Sequence, residues 1–118
     1  GKRLPMHAMA SGKALLAAMP DEELDRYFAE SVRERFTPTT VTAEKALRAQ
    51  LQRVRQTGIA TTEEEYSLGI QGIGRVVEVG GEAMGALSVA IPTARCTDAV
   101  RERAVELLER TAELLKPR

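Results

Sequence analysis

Along the chain the apolar positions keep helical spacing, switch to strand spacing, and return to helical spacing. From Met9 to Met19 the run is dominated by Ala and Leu, both strong helix formers. Pro20 punctuates it, and Asp21, Glu22 and Glu23 supply the first-turn acids of a second helix. That helix carries Leu24, Tyr27 and Phe28 on one stripe and ends near Ser31. The stretch "FTPTTVT" is β-branched and contains proline, so it reads as a connection. Thr42 is placed to cap a third helix, in which Ala43, Leu47, Leu51 and Val54 recur until Gly58, a residue suited to end it.

The period then changes. "GIATTEEEY" opens as a short strand and turns acidic, while "GIQGIGRVVEV" and "EAMGALSVAI" read as two strands joined at Gly80-Gly81, a hairpin signal. From Asp98 to Leu115 the apolar stripe Val100, Ala104, Leu107, Leu108, Thr111 and Leu115 returns to helical spacing among Arg and Glu. Three helices, three strands and one helix in that order predict an α+β domain, an antiparallel sheet flanked by helices.

Composition narrows the function classes. A chain of 118 residues is one domain with one core. Seventeen basic residues balance 17 acidic ones, so no net field draws it to nucleic acid or an anionic membrane. No apolar run approaches the roughly 18 residues of a membrane span. The single cysteine, Cys96, cannot form an intrachain disulfide and argues against a zinc site. With no visible signal peptide or lipidation motif, the expected location is the cytoplasm. No metal and no cofactor are expected: Glu63, Glu64 and Glu65 cannot all face one point on a strand and read as solvated or turn-capping acids. Met6, Met9, Met19 and Met84 read as core or pocket lining, and Cys96 as inert.

Two places carry candidate chemistry. Strand alternation sets Gly72 and Gly74 on one side of the first hairpin strand, and Ala86, Ser88 and Ala90 together on one side of the second. Such small side chains leave space above them, which either a closely packed helix fills or a ligand occupies, with the Ser88 hydroxyl aimed into it. Arg75 falls on the opposite face and reads as a sheet-surface residue. The second place is "LPMHAMASGKALLAAM", where the helix start near Ala8 to Gly12 exposes backbone N–H groups able to hold a carboxylate or phosphate. "SGKA" lacks the first glycine and the hydroxyl of a nucleotide phosphate loop. His7 and Ser11 can be drawn as base and nucleophile, yet no orienting acid is placed beside them, and a lone histidine is more often structural. Lys13 reads as an exposed helix residue. A small hydrolytic enzyme is therefore the lesser reading, as is a module that only oligomerises.

Taken together, "RLPMHAMASGKALLAAMP", "FTPTTVT" with its following helix, "TGIATTEEEYSLGIQGIG" and "GALSVAIPTARCT" resemble the C-terminal effector-binding domain of the IclR family of bacterial transcription regulators. The resemblance implies a GAF-like fold, a small organic-acid effector and a homodimer or tetramer. It implies that residues 1–118 form the effector-binding domain and that DNA is bound only by a winged helix-turn-helix outside this chain. The family's opening strands precede the position of Gly1, so the sheet is expected to be a truncated version with an exposed edge. Carried over by position, the resemblance puts the effector carboxylate at Ala10 and Ser11, beside an apolar wall of Leu4 and Ile70. Family members with small-acid effectors use an acid where this chain has Thr62, a cysteine at Gly72, and serines at Ser88 and Ala90. Keeping one of those four polar groups implies a larger, less polar pocket and a bulkier acid, aromatic acids included.

Overall fold

A computed structural model describes residues 5–117. The helices are α1 (Ala10–Ala18), α2 (Asp21–Glu30), α3 (Glu44–Thr57) and α4 (Asp98–Leu114); the strands are β1 (Ala60–Glu63), β2 (Ile70–Val79) and β3 (Glu82–Pro92). Short 3-10 turns at Met6–Ala8 and Thr93–Arg95 lead into α1 and join β3 to α4. The sheet is antiparallel in the order β1-β2-β3, the α+β arrangement expected from the pattern. Gly80 and Gly81 sit at φ 61° and 82°, the pair of positive values that a tight hairpin turn demands. Gly58, at φ 79°, ends α3 and donates its N–H to the Val54 carbonyl.

One face of the sheet receives α1, and α3 packs behind that helix. Leu16, Leu47 and Leu51 are sealed there with Ala14, Ala17, Leu24, Phe28, Val54 and Ala60 in one cluster. Each such leucine contributes about 1.5–3 kcal/mol by leaving water. The other face is covered by α4, where Ile73 and Val77 of β2 and Leu108 and Ala112 of α4 are buried.

Four local expectations are corrected. The residue flanking α3 is Ala43, which has no side-chain acceptor with which to cap it; the Thr42 hydroxyl, one residue earlier, accepts from Arg35 at 3.3 Å. The buried line of α4 runs through Leu108 and Ala112, while Leu107 and Leu115 are exposed, since α4 meets the sheet along β2 and touches β3 less. Met84 is 68% exposed, because the register slips between Val77 and Glu78 and Met84 has no partner on β2. Lys13 is buried: α1 is the central helix of its layer, covered by the 3-10 turn, α3 and the sheet, so its lysine has no route to solvent.

Among the described residues no helix is long and apolar enough to cross a membrane. Nor do they hold a group of three or more His, Cys, Asp or Glu able to bind a metal ion.

Candidate functional site

The pairing aligns small residues in rows across the sheet. Thr62, Gly72 and Ala90 form one row; Ala60, Gly74 and Ser88 form the next. Over the second row the first turn of α1 lies so close that a Cβ on Gly74 would stand 2.8 Å from the carbonyl carbon and oxygen of Ala10. Over the first row the helix ends and a cleft of about 130 Å³ opens. Gly74 thus admits the helix backbone, while at Gly72 a Cβ would stand 2.6 Å from the Thr62 hydroxyl oxygen and 3.1 Å from the Ala10 Cβ, with the cleft opening beside it.

Seven of the eight residues singled out from the sequence, Ala10, Ser11, Thr62, Ile70, Gly72, Ser88 and Ala90, line this one cleft. Leu4, the eighth, lies outside the described residues. Ala8, Met9, Tyr66, Ser67 and Val89 complete the lining. Its floor is the start of α1, flanked by Met9 in an extended conformation with no side chain capping the helix. The first N–H groups of a helix have no carbonyl partner within it, and here they meet a cavity at the positive end of the helix dipole. Ser88 and Thr62 supply hydroxyls; Ile70, Met9 and the alanines supply apolar wall.

The roof is the loop between β1 and β2, and three threonine hydroxyls hold it. Thr37 donates to the Glu64 carbonyl at 2.6 Å, Thr39 to that of Glu63 at 3.0 Å, and Thr40 to that of Glu65 at 2.6 Å. The "FTPTTVT" connection is therefore more than a linker. Glu64, at φ 55°, turns its carboxylate onto the Gly69 N–H, the turn-capping role expected of these acids. Glu65 departs from that expectation. It is buried and accepts a hydrogen bond from the Lys13 ammonium at 2.7 Å, and Lys13 donates also to Gln50 on α3. Burial pulls the Lys13 pKa below its ordinary value; the Glu65 hydrogen bond and charge oppose this, and the positive Arg53 reinforces it.

Tyr66, which the pattern reading passed over, stands at the mouth of the cleft against the edge of Phe36, with ring centres 4.9 Å apart. Phe36 in turn stacks on His7. The signal available in the sequence was scarcity: the chain has only 2 Tyr and 2 Phe, and one tyrosine follows the acidic triplet directly. His7 is buried, with its Nε2 on the Glu34 carbonyl at 2.7 Å. That ring nitrogen must donate to the carbonyl, a structural tie that fixes the ring. Arg75 lies on the α4 face as alternation required, half-buried rather than free at the surface. The remaining methionines divide: Met9 lines the cleft, while Met6 and Met19 pack against the core.

This α+β fold, with a cleft at the start of α1, has counterparts among known proteins. The chain matches the family described as Bacterial transcriptional regulator IclR C-terminal over residues 1–116, and it belongs to that family. It is 35% identical over 99 residues to the HTH-type transcriptional repressor AllR of Salmonella typhi, covering 83% of this chain and 36% of that protein. The AllR of Klebsiella pneumoniae is 37% identical over 98 residues, covering 82% and 36%. The chain thus spans little more than a third of the length of these relatives. Among solved structures, the C-terminal domain of the E. coli regulator KdgR superposes with a TM-score of 0.88 at 30% identity, covering 96% of this chain and 70% of that one. A double mutant of the inducer-binding domain of the transcription factor PobR from Acinetobacter, in complex with 3-hydroxybenzoic acid, gives 0.88 at 32% identity, covering 98% and 67%. The GAF-like α+β fold is that of these domains.

Proposed function

We propose that this domain senses a small carboxylic acid, bound with its carboxylate at the first turn of α1 and its body between Ile70, Tyr66 and the Thr62–Gly72–Ala90 row. The observation that carries this reading is the uncapped start of α1 opening onto a cleft that also holds the Ser88 and Thr62 hydroxyls. Size favours a single ring. A cavity of about 150 Å³ accommodates benzene, and this cleft measures about 130 Å³. Chemistry favours the same choice, since a two-carbon acid would leave the wall of Met9, Ile70 and Ala90 unused. The relative crystallised with 3-hydroxybenzoic acid supports a ring bearing one carboxylate and one further hydroxyl.

In the whole regulator the acid acts through assembly. A homodimer or tetramer with two arrangements would be biased by an effector that binds one more tightly, and DNA, held by a separate domain, would follow that bias. Catalysis has less support, because His7, the one histidine, does not line the cleft, and among the described lining residues no nucleophile, base and orienter converge. Isothermal titration of the purified chain with 3-hydroxybenzoate, benzoate, pyruvate and glyoxylate tests the reading. Tight binding of the ring acids at one site per chain is expected; binding of glyoxylate with no binding of either ring acid would overturn the ring assignment.

A further inference from the structure

We propose that the buried Lys13–Glu65 pair, with Gln50, is a positioning device that sets the roof of the cleft relative to its floor. The inference rests on the effector-site reading above and adds residues that line no part of the cleft. Lys13 lies one helical turn beyond Ala10, which forms the floor, and Glu65 immediately precedes Tyr66 and Ser67, which form the roof. The ammonium, 1% exposed, joins the Glu65 carboxylate at 2.7 Å to the Gln50 side chain, so α1, α3 and the β1–β2 loop meet at one nitrogen. Thr40 holds the same residue by its carbonyl at 2.6 Å. Glu65 is thereby fixed at both backbone and side chain. Beyond it, Tyr66 to Ile70 are exposed and Leu68 is 70% exposed, so the roof is anchored at Glu65 on one side and at Gly69, which bonds Glu64 and Thr93, on the other.

Stability alone does not account for such a pair. Removing two opposite charges from water costs about what their attraction returns, and apolar side chains of equal volume commonly serve as well or better. What apolar side chains lack is direction: charge-assisted hydrogen bonds fix both the distance and the angle between the groups they join. A roof placed by such bonds holds the Tyr66 ring at a set distance from the Ala10–Ser11 turn, and that distance decides how thick a ligand fits.

The test uses the chain in a Tyr27→Phe background, which leaves Tyr66 as its one tyrosine. Lys13→Met alone strands a buried carboxylate and is expected to unfold the domain in part; Lys13→Met with Glu65→Leu removes both charges and is expected to melt cooperatively. In that double variant, without ligand, amide exchange in peptides spanning residues 63–70 should quicken by about tenfold and Tyr66 fluorescence anisotropy should fall. Benzoate affinity should drop about tenfold, as read by calorimetry. Gln50→Leu, which keeps the charged pair, should shift all three readouts in the same direction by less, and it decides the matter if the double variant does not fold. Exchange, anisotropy and affinity all within about twofold of the parent would overturn the proposal. A parent chain that binds no acid counts against the effector-site reading instead; the exchange and anisotropy arms then decide the positioning role, unchanged values overturning it and faster exchange with lower anisotropy upholding it.

Discussion

The two faces of the sheet follow different rules. On the α4 face, Ile73 and Val77 of β2 and Leu108 and Ala112 of α4 are buried where the two elements pack, and side-chain volume fills the space between the layers. On the α1 face the strands offer Gly72, Gly74, Ala86, Ser88 and Ala90, and what fills the space is the backbone of the helix itself, down to a would-be contact of 2.8 Å at Gly74. A face packed by side chains closes wherever a larger residue is supplied. One packed by backbone closes only where the helix runs, and past the first turn of α1 it stays open. The difference places the cleft on the α1 face and puts the first turn of α1, which its N-cap residue Met9 does not cap, at its floor.

The sharpest way to break this comparison is to damage each face separately. Leu108→Ala should cost about 2–5 kcal/mol of unfolding free energy, measured by urea denaturation, and leave acid affinity within a small factor. A loss of binding as large as that of stability would mean that the two faces are not independent. Gly74→Ala sets a methyl against backbone atoms that cannot rotate away, so it should cost about 1–3 kcal/mol and also weaken binding by displacing the first turn of α1. Ala90→Leu sharpens the contrast: it fills the open end of the same face, and should abolish binding while shifting stability by about 1 kcal/mol or less. Ser88→Ala is the mildest. It should weaken binding about five- to tenfold, the effect of one neutral hydrogen bond, with no measurable change in melting temperature.

Much of the fold was legible because period and punctuation agreed. The hairpin is marked twice, by alternation on both strands and by Gly80-Gly81 between them, and the ends of β2 and β3 fall within a residue of the pattern. The Met84 bulge was invisible, since an extra residue leaves the composition of a strand unchanged. For α4, spacing showed a stripe but not its centre; which line of the helix is buried depends on where it crosses the sheet, a tertiary fact. Ala10, Ser11, Gly72, Ser88 and Ala90 were legible because helix start and small-residue face are both local signals, whereas Thr62 and Ile70 came only from the family resemblance. Lys13 and Glu65 were misread because a charged residue on a helix, or in an acidic triplet, is exposed unless a partner far along the chain meets it, and these two are 52 positions apart. The same holds for Thr37, Thr39 and Thr40, whose β-branched run marked a connection while their acceptors lay 24 to 27 residues onward.

The central claim is that a carboxylate sits at the first turn of α1. The most direct test is an amide NMR titration of the isotopically labelled chain with 3-hydroxybenzoate. The largest saturable shifts are expected on the N–H groups of Ala10 and Ser11, with Gly72 and Ala90 following along one binding curve. Largest shifts elsewhere, such as the groove between Met19 and the hairpin residues Gly81 to Ala83, with Ala10 and Ser11 unmoved, would contradict it.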